Sequence, residues 1–194
     1  MTAKVELLTS LGRGDLNDLC ESTEAAILDG GGFGWLKPPP RQVLESYWKG
    51  VLLIPERTLF AARLDNVICG SAQLFRPSRN NEAQAFAAQL QSAFVAPWAR
   101  GHGAARMLTV AVDDAAREAG YEVLTLDVRE TQSAAIALYE SLGFTRWGTN
   151  PNYARVGAKF IAGHYYYKNL GPGRGKAKAA ESRPRQPAKK SKKK

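Results

Sequence analysis

The chain has 194 residues, of which 44% are hydrophobic, so it is long enough for one buried core and short for two domains. Its net charge is +9, but residues 171–194 carry ten Lys or Arg and one Glu, which leaves seventeen basic and seventeen acidic side chains for residues 1–170. The predicted folded part is therefore neutral, which argues against a basic nucleic-acid-binding domain.

The cysteines and the absence of long apolar runs indicate the compartment. Cys20 and Cys69 are isolated, with no CxxC pair and no histidine cluster nearby, so neither a disulfide framework nor a metal site is expected. The first residues lack the apolar segment of a signal peptide, and no stretch reaches membrane-spanning length. We therefore expect a soluble cytoplasmic protein without a membrane partner.

The first third of the chain predicts a strand followed by two short helices. Weak alternation predicts a strand over 4–9, and Asp15 is a candidate N-cap for a helix that ends at the glycine-rich run 30–34. The three prolines 38–40 then introduce a second helix, which ends near Gly50.

The middle of the chain predicts a hairpin and a third strand. Arg57–Leu64 and Val67–Phe75 are apolar runs separated only by Asp65-Asn66, which is typical of a tight hairpin turn. A long apolar and Gln-rich strand is predicted over 83–95.

A helix over 102–119 and a strand over Val123–Arg129 come next, and this strand–helix–strand order normally forms a right-handed parallel crossover. A last helix over 132–142 precedes two closing strands, at 144–149 and 158–168. We therefore predict an α/β (α+β) fold, with a mixed, mostly antiparallel sheet of about six to seven strands, one parallel β-α-β crossover and about four flanking helices. A doubly wound dinucleotide-binding fold is not expected, because it would need several consecutive crossovers and only one is visible.

The C-terminal segment 171–194 consists mainly of Gly, Pro, Ala and Lys without apolar periodicity, which predicts a disordered basic tail after a domain at 1–170. Its lysine run at 189–194 has two interpretations. It either makes weak, salt-dependent contacts with nucleic acid or a ribosome, or it is a solubilising end.

Two segments carry the chemistry. A strand ending at Val95 leads into a glycine-containing turn at 100–105 that opens a helix, and such a turn directs unpaired backbone N–H groups at one point, which suits a phosphate. The turn is not a dinucleotide fingerprint, because Arg106 stands at its third glycine position. The second segment is a helix that presents Tyr139 and stops at Gly143. Taken alone, this tyrosine is better explained as core packing than as a catalytic residue.

Together the two segments resemble the GNAT superfamily of N-acetyltransferases. Arg100-x-x-Gly103-x-Ala105 is similar to its Arg/Gln-x-x-Gly-x-Gly/Ala signature, and Ala135-x-x-Leu138-Tyr139-x-x-x-Gly143-Phe144 to its second acetyl-CoA motif. The resemblance covers nearly all of residues 4–170. It implies acetyl-CoA as co-substrate, bound by Phe94, Val95, Arg100, Gly101, His102, Gly103, Ala104, Ala105, Gln132 and Tyr139.

The resemblance also implies a mechanism of direct attack by an amine in a ternary complex. The pantetheine arm would lie along the open edge of the strand ending at Val95, with a backbone N–H near Phe94 or Val95 facing the thioester oxygen. Tyr139 would donate a proton to the departing thiolate. Gln132 stands where members often have an asparagine.

The general base is open. Related enzymes often have a glutamate near position 89, where this chain has Gln89, and an amide cannot take a proton. The alternatives in the sequence are Glu82, Asp127, Glu130 and Tyr153. His102 is interpreted as a solvent-facing loop residue.

The acceptor is equally open. Several segments are loosely similar to the tabtoxin-resistance acetyltransferase branch, namely Gly34-Trp35 with the prolines that follow, Tyr47-Trp48, 151–154 and 165–168. This similarity implies a small-molecule primary amine as the acceptor. Two alternative functions stay open: a protein N-terminal or lysine acetyltransferase, and a non-catalytic acyl-CoA-binding module. A homodimer is also an open alternative to a monomer. Trp35 and Phe33 are candidates for a lid over the acceptor or for plain packing.

Overall fold

The structure is a computed structural model, which describes residues 2–12, 14–31 and 34–171. Seven strands and four α-helices lie within these ranges. They are β1 Ala3–Leu8, α1 Asp15–Leu28, α2 Arg41–Val51, β2 Arg57–Leu64, β3 Val67–Phe75, β4 Ala87–Val95, α3 Ala104–Glu118, β5 Val123–Arg129, α4 Ser133–Ser141, β6 Thr145–Val156 and β7 Lys159–Asn169.

The strands form one mixed sheet in the order β1-β2-β3-β4-β5-β7-β6. All neighbouring strands are antiparallel except β4 and β5, which are parallel and are joined by α3. The predicted fold, a mostly antiparallel sheet with one parallel crossover, is therefore confirmed.

The predicted hairpin is confirmed, with β2 and β3 at the expected bounds. Asp65 and Asn66 have φ angles of 48° and 74°, both in the left-handed region. This is the geometry of a two-residue turn whose twist matches that of the flanking strands, and Asp and Asn tolerate it better than most residues.

Helices cover both faces of the sheet. On one face, α1 and α2 bury Leu19 and Trp48 against Leu59 and Ile68 of the hairpin. On the other face, Leu108 of α3 and its helical neighbours pack against β2–β5, together with α4. Consequently the buried face of β5 points toward α3, and its alternate residues point to the opposite side.

Three local details differ from the sequence prediction. The strand predicted from residue 83 begins at Ala87, because Glu82–Gln84 form a 3-10 turn. The closing strand predicted over 144–149 runs on to Val156, because β6 is an edge strand and tolerates Pro151 there. Asp15 is the first helical residue rather than the N-cap, and its carboxylate accepts from the Gly12 N–H at 2.7 Å.

No helix within the described ranges is long and apolar enough to cross a membrane. The predicted tail at 171–194 lies, apart from Gly171, outside the described residues.

Candidate active site

The site begins where β4 and β5 diverge. The two parallel strands are in register only from Ala87 opposite Val123 to Gln89 opposite Thr125. Further along, the register of β4 against β3 shifts, and Ser92 takes a left-handed φ of 48°. This β-bulge bends the strand and leaves its β5-facing edge without a partner strand, at the position where an extended ligand can add.

Buried polar contacts hold the bulge in place. The Tyr47 hydroxyl lies 3.3 Å from the Ser92 Oγ and accepts a hydrogen bond from the Gln73 Nε2 at 3.1 Å. Because Gln73 is fully buried, its amide N–H needs a partner such as the Tyr47 hydroxyl, and this contact ties α2 to the sheet beside the bulge.

A groove of about 470 Å³ runs from the bulge between α3 and α4, and we call it the α3–α4 groove. Six of the residues predicted to bind acetyl-CoA line it: Phe94, Val95, Arg100, Ala105, Gln132 and Tyr139. The other four, Gly101, His102, Gly103 and Ala104, form the turn and the first helical residue beside it.

The turn presents the start of α3 without a side-chain cap. Gly103 is the N-cap residue in the left-handed region, with φ 77°, and no side chain in the described part of the protein caps the first-turn N–H groups. These donors and the positive helix end suit a phosphate group. The exposed His102 ring bonds within its own turn, with its Nδ1 3.0 Å from the Arg100 carbonyl oxygen. His102 lines neither cavity.

The end of α1 reaches over this groove at two points. The Arg100 guanidinium pairs with Asp29 at 2.5 Å, and the Gln132 Nε2 donates to the Gly30 carbonyl at 3.0 Å. Gln132, the N-cap residue of α4, therefore links the start of that helix to the loop after α1.

A second cavity, of about 550 Å³, opens on the other side of the diverging strands, and we call it the β5–β6 cavity. Its polar lining comes from β4, β5 and β6, and Gly34 and Leu36 close one side. It shares four residues with the α3–α4 groove, namely Ala93, Gln132, Ala135 and Tyr139. The two spaces therefore meet beside Tyr139.

Of the four candidate bases, two line the β5–β6 cavity and bond to each other. The Asp127 carboxylate accepts from the Tyr153 hydroxyl and, at 3.0 Å, from the Gln89 Nε2. The other two candidates lie outside the cavity: Glu82 is in the 3-10 turn, and Glu130 accepts from the Ala162 N–H at 3.2 Å.

A glycine on the intervening strand permits the contact between Asp127 and Tyr153. Asp127 is on β5 and Tyr153 on β6, with β7 between them. A Cβ atom on Gly163 of β7 would lie 2.1 Å from the Cγ of Tyr153, so the tyrosine ring passes directly over this glycine. Burial and the hydrogen bond to Asp127 raise the pKa of Tyr153, which therefore stays protonated and acts as a donor.

Tyr139 is held rigidly where the two spaces meet. Its side chain is 7% exposed and packs edge-on against Phe144, with ring centroids 5.8 Å apart. Burial, together with the negative charge of Asp127, raises the pKa of Tyr139 to about 12. Its hydroxyl has no hydrogen-bond partner among the described residues, and so it is available to a ligand.

The sequence interpretation missed two cavity residues, Arg129 and Arg155. Arg129 was detectable as the next polar position after Asp127 in the alternation of β5. Arg155 gave no local signal, because β6 was predicted to end at 149. Of the candidate lid residues, Trp35 packs against Tyr47 with ring centroids 5.3 Å apart, and Phe33 lies outside the described residues.

Both cysteines are buried as free thiols. Over residues 2–12, 14–31 and 34–171, no group of three or more His, Cys, Asp or Glu side chains is placed to hold a metal ion.

The chain is similar in sequence and in fold to known N-acetyltransferases. The chain is 62% identical over 128 residues to an uncharacterised N-acetyltransferase of Azospirillum brasilense. The matched segment covers 66% of this chain and 76% of that protein. An N-acetyltransferase from Staphylococcus aureus Mu50 has a similar fold, with a TM-score of 0.74, 19% identity and coverage of 88% and 99%.

A phosphinothricin acetyltransferase from Sinorhizobium meliloti, solved in complex with acetyl-CoA, has a TM-score of 0.73 at 19% identity, covering 90% of this chain and 92% of that one. The resemblance to the tabtoxin-resistance branch stays a prediction. The model of the acetyltransferase (GNAT) family matches residues 20–144, more than half of the chain. This chain therefore belongs to the acetyltransferase (GNAT) family of acetyl-CoA-dependent N-acetyltransferases.

Proposed function

We propose that the protein transfers the acetyl group of acetyl-CoA to a primary amine of a small molecule, by direct attack within a ternary complex. The observation that carries this proposal is the meeting of two separate spaces at one tyrosine. The α3–α4 groove and the β5–β6 cavity share Tyr139 and three neighbouring residues, so a donor and an acceptor can approach each other from opposite sides of the sheet.

The residues of the α3–α4 groove fit acetyl-CoA. The unpaired edge of β4 suits the extended pantetheine arm, and the uncapped start of α3 suits the pyrophosphate. Acetyl-CoA supplies an activated acetyl group on a thiolate leaving group. A backbone N–H near Phe94 or Val95 stabilises negative charge on the carbonyl oxygen during transfer.

On the acceptor side, Asp127 receives the proton of the attacking amine. It is the carboxylate of the β5–β6 cavity, and two neutral donors, Gln89 and Tyr153, hold its oxygens in position. Tyr153 does not take this role, because its raised pKa keeps it protonated.

On the donor side, Tyr139 protonates the departing sulfur. Its hydroxyl has no competing partner in the described part of the chain, and its raised pKa keeps the proton available near neutral pH. In the transfer step the amine nitrogen bonds to the acetyl carbon and the carbon–sulfur bond breaks. One proton leaves nitrogen for Asp127, one passes from Tyr139 to sulfur, and solvent restores the phenol.

Thiol release from acetyl-CoA, measured with a panel of small amines and with a peptide bearing a free N-terminus, tests this proposal. We expect release with small amines and little with the peptide. Preferential release with the peptide would favour a protein acetyltransferase. Calorimetric binding of acetyl-CoA without release for any acceptor would instead identify a non-catalytic acyl-CoA-binding module.

Asp127→Asn tests the assigned base in the same assay. We expect turnover to fall by about 10²–10⁴-fold, the usual contribution of a general base, while acetyl-CoA still binds. Asp114→Asn, an exposed change of the same charge on α3, is the matched control. Equal activity of the two variants would remove Asp127 from the reaction.

We also propose a cellular setting. The neutral domain and isolated cysteines favour the cytoplasm, the lysine-rich tail favours weak salt-dependent contact with nucleic acid or a ribosome, and a homodimer stays an open alternative.

A further inference from the structure

We propose that the acceptor is a small amino carboxylate, a free amino acid or close analogue, whose carboxylate binds to Arg129 and Arg155 while its amine faces Asp127. This inference rests on the proposed function, since it names the class of amine that the β5–β6 cavity accepts. It is carried by two arginines of the cavity lining, which outnumber the one described carboxylate there.

Arg129 is placed to bind an anion next to the reacting amine. It lies two residues after Asp127 on β5, so the two side chains leave the same face of the strand about 7 Å apart along it. Arg129 is half-buried and lines the β5–β6 cavity. Its guanidinium forms neither a hydrogen bond nor an ion pair with any described residue, whereas its backbone carbonyl accepts from the Gln132 N–H at 3.0 Å.

Arg155 approaches the same cavity from β6. Its guanidinium carbon lies over the Phe160 ring, 5.9 Å from the ring centroid, which is a cation–π contact. None of its guanidinium N–H groups is hydrogen-bonded to a described residue, so these donors are available to a ligand. No carboxylate among the described residues pairs with Arg155.

The charges of the cavity select the ligand. Among the described residues that line the cavity, Asp127 is the one acidic side chain, against two arginines, so this lining carries a surplus of one positive charge. Asp127 bonds to the neutral Gln89 and Tyr153 rather than to either arginine. A single carboxylate balances the surplus, whereas a phosphate monoester brings a charge of about −2 at neutral pH.

Guanidinium groups also match carboxylates in geometry, because they donate two parallel N–H bonds. A peptide N-terminus or a lysine side chain carries no carboxylate close to its amine. The arginine pair therefore favours free amino acids over protein acceptors.

The first test compares free amino acids with their methyl esters as acceptors for the full chain, at saturating acetyl-CoA. We expect kcat/KM to be about 10- to 100-fold higher for the acids, the range that charge-assisted hydrogen bonds provide. The amine of an ester is less basic than that of the free acid, so a larger fraction of it is unprotonated and reactive. A preference for the acids would therefore appear despite this advantage of the esters. Equal or better use of the esters would overturn the inference, while their acetylation would leave the proposed function intact.

Arg129→Gln and Arg155→Gln test the assignment. Each should lower kcat/KM for amino acids, mainly through KM, and should lower it much less for the esters. Arg146→Gln, which removes the same charge from an exposed position on β6 outside the cavity, is the control. Losses of equal size for acids and esters would contradict a carboxylate contact.

A binding measurement separates the inference from the proposed function. Calorimetric titration of amino acids into the CoA complex of the protein needs no turnover. We expect binding to the wild type that weakens in Arg129→Gln. If amino acids bind and no amine is acetylated, the proposed function fails and only the carboxylate-binding site at Arg129 and Arg155 stands. If amines are acetylated and no amino acid binds, the inference fails.

Discussion

The Tyr139 hydroxyl lies where the α3–α4 groove meets the β5–β6 cavity, and Phe144 holds its ring edge-on. If this hydroxyl protonates the leaving sulfur, Tyr139→Phe should lower kcat by about 10²–10⁴-fold with little change in acetyl-CoA affinity. Steady-state kinetics and calorimetry measure the two quantities. Tyr121→Phe, a partly buried tyrosine outside both spaces, is the control. An unchanged kcat in Tyr139→Phe would exclude Tyr139 as the acid.

The raised pKa of Tyr139 has a consequence for the pH profile. An acid works in its protonated form, and burial raises the pKa of this phenol from 10.0 to about 12. The proton is therefore retained through the mildly alkaline range. We expect no alkaline decline of kcat from this group below about pH 11. A decline centred at a lower pH, present in the wild type and absent in Tyr139→Phe, would show that the phenol titrates too early.

At the scale of elements, the pairing of β6 with β7 brings Tyr153 to Asp127. Gly163→Ala places a Cβ atom 2.1 Å from the Tyr153 Cγ, so the ring must move away from Asp127. We expect a loss of about 1–3 kcal/mol in the free energy of unfolding, as for other overpacked sites, together with lower kcat. Denaturant unfolding and steady-state kinetics provide the measurements.

Two comparisons isolate the clash. Gly148→Ala on β6, where a Cβ atom meets nothing within 4 Å, should not produce this clash. Combining Gly163→Ala with Tyr153→Ala should recover much of the lost stability, because the smaller side chain removes the overlap. Full additivity of the two changes would show that the ring does not lie over Gly163.

A strand or helix could be predicted from the sequence where the interactions that define its ends are local. The β2–β3 hairpin and β5 were predicted at their observed bounds, because turn residues and alternation are local signals. The end of β6 was not predicted, since Pro151 normally ends a strand and only its edge position tolerates it.

Residues of the candidate site could likewise be predicted only where local motifs mark them. The groove residues share local motifs around the start of α3 and along α4, so they were identifiable from the sequence. The contact between Asp127 and Tyr153 depends on two strands separated by a third, and on a glycine at position 163. No local pattern encodes that contact, which is why the sequence left four candidate bases open.

At the scale of the whole molecule, the basic excess and the catalytic elements are separate along the chain. Deleting residues 172–194 removes ten basic side chains and one acidic one, and it removes no residue of either cavity. We expect the shortened protein to bind acetyl-CoA with a Kd within about twofold of the full chain, by calorimetry. A tenfold or greater loss would show that the tail contributes to the groove.

The central claim is that donor and acceptor meet at Tyr139 from opposite sides of the divergence between β4 and β5. A crystal structure of the protein with CoA tests it most directly. We expect pantetheine along residues 93–95, pyrophosphate at the turn 100–105, and the sulfur within hydrogen-bond distance of the Tyr139 hydroxyl. A sulfur atom placed away from Tyr139, or CoA bound outside the α3–α4 groove, would contradict it.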